Sequence, residues 1–278
     1  MSDTAETLET VTSGPGASKP DPILVADNVQ RSFGGLKAVD VDHLEVQRNT
    51  ITALIGPNGA GKTTFFNLLT GFDKADTGTW DLNGGPLVGI PAYQVARKGM
   101  VRTFQLTRAM PRLTVKENVM LAATDNPGES LWRAVLGGWR EGERDAAERA
   151  DHLLERFDLN HMSDEYAGSL SGGQRKLLEL ARALMVEPEL IMLDEPMAGI
   201  NPALTQKLLE HITGLQTEGA TVVFVEHDMD VVQEISHWVV VMAEGKVIAE
   251  DRPAGIAGNQ TVIDAYLGEH HGEAASYD

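Results

Sequence analysis

Nine consecutive residues, Gly56-Pro57-Asn58-Gly59-Ala60-Gly61-Lys62-Thr63-Thr64, constrain this chain more than any other stretch. Before them, residues 50–55 carry Ile51, Ala53, Leu54 and Ile55 and read as a short strand. After them, residues 63–70 read as a helix closed by Gly71. Three glycines in the turn between strand and helix let the backbone wrap an anion without Cβ clashes. Successive N–H groups and the positive end of the helix then point at phosphate oxygens. In that arrangement Lys62 reaches the β- and γ-phosphates of a nucleotide and the Thr63 hydroxyl ligates Mg²⁺. The bland alternative is a glycine-rich turn that happens to precede a Lys-Thr pair.

The chain has 278 residues, 42% of them hydrophobic, enough for one large domain or for a core with a smaller lobe. It contains no cysteine, which excludes disulfides, thiolate metal sites and a cysteine nucleophile. No apolar run reaches the roughly 18 residues that span a bilayer, and the N-terminus lacks the regions of a signal peptide. The expectation is a cytosolic protein, unless something else holds it at a membrane. A formal net charge of −18 argues against broad contact with nucleic acid, which needs basic surface to displace counterions.

Residues 1–22 are rich in Ser, Thr, Gly, Pro and acidic groups and are expected to form a disordered tail. Residues 23–33 and 37–46 suggest two strands joined through Gly34-Gly35. Phe33, about two dozen residues before the phosphate loop, either stacks on an adenine ring or is an ordinary core residue. A strand end follows at 80–83 and a helix at 91–98. Val101-Arg102-Thr103-Phe104-Gln105 then reads as a short strand ending in a side chain able to touch a metal-bound water or a neighbouring protein. Thr114 and Glu117 fit a capping box that opens a largely helical stretch to about Phe157. Within it, Trp132 and Trp139 pack on their own lobe or face a membrane or partner.

Leu170-Ser171-Gly172-Gly173-Gln174 precedes a strongly periodic helix. Ser171 and Gln174 fit a second capping box, yet two glycines in a first turn cost about 1 kcal/mol each against alanine. A close approach to that backbone is implied, and an anion is the natural candidate. Next, Leu190-Ile191-Met192-Leu193 reads as a strand buried on both faces, ending in Asp194-Glu195. Carboxylates at the end of such a strand lie where open α/β sheets bind ligands. Asp194 suits Mg²⁺ and Glu195 suits a base for the attacking water; the alternative is a pair of surface acids capping the next helix. A helix to about Glu218 follows, then a buried strand at 220–225 ending at Glu226-His227-Asp228, where a lone His is usually a capping or surface residue. Residues 238–250 read as a hairpin through Glu244-Gly245, and 261–267 as a short terminal helix.

Taken together, the phosphate loop, Ser171 to Gln174 and Asp194-Glu195 resemble the nucleotide-binding subunits of ATP-binding-cassette (ABC) transporters, over about residues 23–268. That resemblance implies an α/β fold: a P-loop NTPase core of mainly parallel sheet with helices on both faces, an N-terminal antiparallel β region and a helical subdomain at about 92–170. A C-terminal tail, 269–278, would follow. It implies Phe33 at the adenine-stacking position, residues 56–63 as the Walker A loop with Thr64 beside it, and Gln105 as the Q-loop glutamine near the metal. Leu170, Ser171, Gly172, Gly173 and Gln174 match the signature motif, Leu190 to Asp194 the Walker B strand, Glu195 the catalytic base and His227 the switch histidine. Asn201 departs from the pattern, which more often has Asp in its D-loop.

The cofactors implied are ATP and Mg²⁺. The partners implied are transmembrane subunits, a second ATPase subunit, identical or related, and an extracytoplasmic substrate-binding protein, so that the chain sits at the cytoplasmic face of the membrane. Two subunits in a head-to-tail sandwich would place Ser171 and Gly173 of one chain over the ATP held by the other's Lys62. Phe33-Gly34-Gly35-Leu36-Lys37-Ala38-Val39, Arg102-Thr103-Phe104-Gln105, Glu226-His227-Asp228-Met229 and Ala265-Tyr266-Leu267-Gly268-Glu269 look like the ATPases of branched-chain amino-acid importers. Urea and amide importers and lipopolysaccharide exporters have similar subunits, and a soluble, non-transport cassette ATPase is the reading from a different class.

Overall fold

The structure, a computed structural model, describes residues 8–103, 109–123 and 139–274, the side chains of 139–141 and 268–274 excepted. Gln105 and Trp132 therefore lie outside the described residues, as does the side chain of Trp139. The chain divides into two compact units. One takes the chain up to Arg102, then Glu189–Pro196 and everything from Ile212; the other takes Thr103–Pro188 and Met197–His211.

The first unit opens with a long hairpin, β1 (Pro22–Phe33) and β2 (Leu36–Gln47), whose alternating burial fits an antiparallel sheet. Then come β3 (Ile51–Ile55), α1 (Lys62–Leu69), β4 (Thr77–Leu82), β5 (Gly85–Pro86), α2 (Ala92–Arg97) and β6 (Met100–Arg102). In the second unit Thr114 closes a capping box with Glu117 at the start of α3 (Val115–Met120), as the spacing predicts. This helix packs with α4 (Trp139–Arg156) and α5 (Gly172–Leu184). The remaining elements are β7 (Leu190–Asp194), α6 (Pro202–Thr217), β8 (Thr221–Val225), α7 (Met229–Ile235), β9 (Trp238–Ala243), β10 (Lys246–Asp251), α8 (Pro253–Ala257) and α9 (Gln260–Ala274).

Two sheets result, with strand orders β2-β1-β4-β5 and β10-β9-β3-β8-β7-β6. The second is parallel from β9 to β6, and every residue of β3, β7 and β8 is buried, which accounts for their largely apolar make-up. Side chains of both sheets and of α1 share one core, with Phe65, Phe66, Trp80 and Trp238 its largest members. Trp80 satisfies its buried indole N–H on the Leu69 carbonyl, at 3.1 Å.

Three expectations are revised. Residues 8–22 are not a loose tail: Leu8 is 2% exposed inside the core and Lys19 is buried, because their partners lie far along the chain, where local composition cannot reveal them. The terminal helix begins at Gln260 and continues to Ala274, beyond the 267 expected, so most of 269–278 is helix. The second unit starts at Thr103 rather than near 92, since α2 and β6 belong to the first, and it runs on through Pro188. Among the described residues no helix is long and apolar enough to cross a membrane.

Candidate functional site

The phosphate loop leaves the end of β3 and is shaped by what lies behind it. Gly56 has φ 145, and a Cβ there would collide with the carbonyl of Met242 on β9. Gly61 has φ 97, and a Cβ would collide with the carbonyl of Ala38 on β2. Gly59, at φ 74, has open space around it, so its requirement is conformational alone. The β9–β10 turn braces the loop, with the Gly245 amide donating to Ala60 O at 3.0 Å and the Asp40 amide to Gly245 O at 2.7 Å. The sequence pointed to Glu244-Gly245 as a hairpin turn and gave no sign of this second task. Gly61 is also the N-cap of α1 and offers no side-chain acceptor, so no cap competes with an anion for the first-turn amides. Lys62 folds back over the loop, its Nζ donating to Gly56 O at 2.5 Å and Pro57 O at 2.8 Å. Thr63 is exposed in the first turn, with Thr64 beside it.

Strand register brings the second group of residues to the same edge. Leu54 of β3 pairs with Val225 of β8, which pairs with Asp194 of β7. Gly56, Glu195 and Glu226 therefore follow the carboxyl ends of three neighbouring parallel strands, where such sheets bind ligands. Asp194 is 4% exposed and its Oδ2 accepts from Arg102 Nη2 at 2.6 Å; Arg102 Nη1 donates at 2.6 Å to Asn67 Oδ1 on α1. The Arg102 side chain is 2% exposed, and this buried tie between β6, β7 and the phosphate helix was missed in the sequence. The available signal was Arg102 at the end of a strand that pairs with β7.

Glu195 adopts φ 48, a left-handed conformation that costs a non-glycine residue about 1 kcal/mol or more. Its amide is fixed on Val225 O at 3.0 Å, and Pro196 next in line disfavours the right-handed α region. The chain thus turns sharply at the carboxylate. Glu226 is 1% exposed, His227 keeps 70% of its side chain in solvent, and Asp228 caps α7 through the amides of Asp230 and Val231. Capping belongs to Asp228, which leaves the imidazole of His227 presented outward.

In the second unit Ser171 and Gln174 form both bonds of the expected capping box, at 3.3 and 2.9 Å. The two glycines beside them differ. Gly172 faces open space, whereas a Cβ on Gly173 would collide with the Leu204 side chain of α6. The end of the Leu204 side chain is flexible and can shift, so both glycines remain open to the close approach of an anion. Asn201 caps α6, accepting from the Leu204 amide at 3.0 Å. Phe33, at the tip of the first hairpin, is not a core residue: 49% of it is exposed. Leu36 pairs with it, and two positions further along β2 stands Ala38, the residue beneath Gly61.

The oxygen donors fit a hard divalent cation, with the Thr63 hydroxyl and the Asp194 carboxylate both on elements of the first unit. Among the described residues there is no cluster of three or more His, Asp or Glu poised for a metal.

Comparison with known proteins agrees with this geometry. The family described as ABC transporter matches residues 39–198, and that described as branched-chain amino acid ATP-binding cassette transporter matches residues 246–272. The probable branched-chain amino acid transport ATP-binding protein LivG of Archaeoglobus fulgidus is 40% identical over 251 residues, covering 90% of this chain and 97% of that one. The high-affinity branched-chain amino acid transport ATP-binding protein BraF of Pseudomonas aeruginosa is 41% identical, covering 89% and 98%. Among solved structures, a nucleotide-free ATP-binding cassette from an ABC transporter is 36% identical with a TM-score of 0.77, covering 88% of this chain and 98% of its own. The ADP conformation of an ABC transporter cassette gives 35% and 0.76, covering 89% and 99%. The chain belongs to the ABC transporter family as one of its ATP-hydrolysing cassettes, grouped with the branched-chain amino acid transport ATP-binding proteins.

Proposed function

We propose that this chain is the ATP-driven motor subunit of an importer of branched-chain amino acids, working at the cytoplasmic face of a membrane through transmembrane subunits. The alignment of the phosphate loop, Asp194-Glu195 and Glu226-His227 at one edge of the parallel sheet supports the ATP chemistry, and 40% identity to a probable branched-chain amino acid transport ATP-binding protein supports the cargo. Lys62 leaves its carbonyl partners for the β- and γ-phosphates, and the loop amides and the N-terminus of α1 hold the remaining phosphate oxygens. Thr63, Asp194 and Gln105 are the residues that would hold Mg²⁺, which when bound offsets the phosphate charge. Glu195 takes a proton from the attacking water, and His227 orients the γ-phosphate side of the site. Ser171 with Gly172, Gly173 and Gln174 completes the site of a second cassette, identical or related, so that ATP binding closes the pair and hydrolysis opens it. A substrate-binding protein and the membrane subunits select the cargo.

Proteoliposomes containing this chain, its membrane subunits and their binding protein test the reading. Leucine should be taken up with ATP and should stimulate hydrolysis; stimulation by urea in place of leucine would refute the cargo assignment.

A further inference from the structure

Arg31 stands two residues before Phe33 on β1, just before an irregularity in the β1–β2 pairing between Arg31 and Ser32. The Arg31 guanidinium carbon sits 4.6 Å from the centroid of the Phe33 ring. Two carboxylates pin it there, with Nη2 3.1 Å from Asp73 Oδ1 and Nη1 3.1 Å from Asp76 Oδ1. Asp76 Oδ2 also accepts from the Ser32 amide at 2.7 Å, and the Asp76 amide donates to Gln30 O at 2.8 Å, so this carboxylate is stitched to β1 on both sides of Arg31. On the other side, the Asp73 amide donates to Asn67 O at 3.1 Å, and Asn67 belongs to α1, the helix that begins at Lys62. A half-exposed phenyl ring at a hairpin tip is thereby backed by a fixed planar cation, and the cation is tied to the phosphate helix.

Partly exposed ion pairs add little to stability, so the arrangement is not explained by what it contributes to folding. What it does is immobilise one aromatic ring in advance. A base that stacks on a ring already held in place does not have to order that ring on arrival, and pre-ordering of this kind raises affinity without adding a contact. The guanidinium lies over the phenyl ring in a cation–π contact, and the 49% of Phe33 that stays exposed is the aromatic surface offered to a flat π-system.

We propose that Arg31 is a positioning residue for the adenine of ATP: it clamps the Phe33 ring and, through Asp73, ties the base platform to the helix that carries the phosphate loop. The proposal rests on the reading of Phe33 as the surface on which adenine stacks. Arg31 acts through Phe33 and touches no reacting atom.

The test compares a ligand that has a base with one that has none. Isothermal titration of the full chain with ATP and with inorganic tripolyphosphate, both with Mg²⁺, would be run on wild type, Phe33→Ala, Arg31→Met, Arg31→Lys and the double variant Asp73→Asn/Asp76→Asn. Arg31→Met is expected to weaken ATP about three- to fivefold and to leave tripolyphosphate affinity unchanged. Lysine should restore part of the loss, and the double variant should reproduce it if Arg31→Met folds poorly. Equal weakening of both ligands would overturn the proposal, because Arg31 would then be supporting the whole site. Unchanged ATP affinity in Arg31→Met, beside a loss in Phe33→Ala, would overturn it while leaving the base platform standing. Unchanged affinity in Phe33→Ala would remove the platform itself and the proposal with it.

Discussion

Lys19 Nζ lies 3.0 Å from Glu250 Oε2, with 1% and 0% of the two side chains exposed, and joins the N-terminal segment to β10 across 231 residues of sequence. The same carboxylate accepts from Trp238 Nε1 at 3.0 Å and, through Oε1, from the Gly16 amide at 2.9 Å. Burial lowers the pKa of Lys19 even though Glu250 and Glu45 work in the opposite direction. Lys19→Met should therefore be costly, because it leaves a buried carboxylate without its cation. About 3 kcal/mol is expected, read as a lower urea midpoint. The pair Lys19→Met/Glu250→Gln should lose less than the two single variants summed. An unchanged midpoint in Lys19→Met would show that the segment is not docked in solution.

Beside that tie, His43 stands between Asp27, 2.6 Å from Nδ1, and Glu45, 3.1 Å from Nε2. Burial opposes protonation of His43, but the hydrogen bonds and charges of Asp27 and Glu45 outweigh it and raise the pKa. A raised folded-state pKa contributes stability that is fully present below the ordinary value of about 6.5 and is lost as pH rises through the folded value. The stability difference between wild type and His43→Gln should accordingly be largest near pH 5.5 and shrink toward pH 9. A difference that grows with pH would contradict the sign of the shift.

Gly56 and Gly59 separate two reasons for a glycine in one loop. Gly56→Ala drives a methyl group into the Met242 carbonyl, which belongs to a strand and cannot move aside. Loss of ATP binding, with a fall in melting temperature, is expected. Gly59→Ala meets nothing within 4 Å and carries only the strain of φ 74, about 1 kcal/mol. Its ATP affinity should fall by roughly tenfold at most, and similar behaviour of the two variants would refute the distinction.

Glu195→Gln preserves the side-chain shape at a strained turn and removes the base. Turnover should drop by about a hundredfold or more while ATP affinity measured by calorimetry stays within about twofold of wild type. A parallel collapse of affinity would reassign Glu195 to a structural role.

Ser171→Asp separates capping from phosphate binding. Aspartate caps a helix as well as serine does, so unfolding of the variant should stay within about 0.5 kcal/mol of wild type. Its negative charge would repel a γ-phosphate presented by a second chain. Loss of ATP-dependent dimerisation in a Glu195→Gln background is expected, and dimerisation at wild-type ATP concentrations would remove Ser171 from the shared site.

Chemistry tied to short sequence windows was legible. The phosphate loop, both capping boxes and the fully buried strands β7 and β8 announce themselves because backbone conformation and strand burial act on neighbouring residues. Arg102 with Asp194, Gly245 behind Ala60 and Lys19 with Glu250 were not legible, since each joins segments that only the fold brings together. The neighbour of Gly173 was not legible either, since a glycine opening a helix looks the same in sequence whatever lies beside it, here the Leu204 side chain.

The order of the parallel strands also bears on how the protein is made. The partners of β3 lie far downstream: Ile51 pairs with Val222 of β8, and Thr52 with Trp238 of β9. On a ribosome adding about 5–20 residues per second, the most apolar segment near the phosphate loop would wait roughly ten to thirty seconds with both edges unpaired. Such an edge invites pairing with other chains. Nascent chains stopped before residue 221 should need a chaperone to stay dispersed, while release past residue 243 should bring folding and nucleotide affinity together.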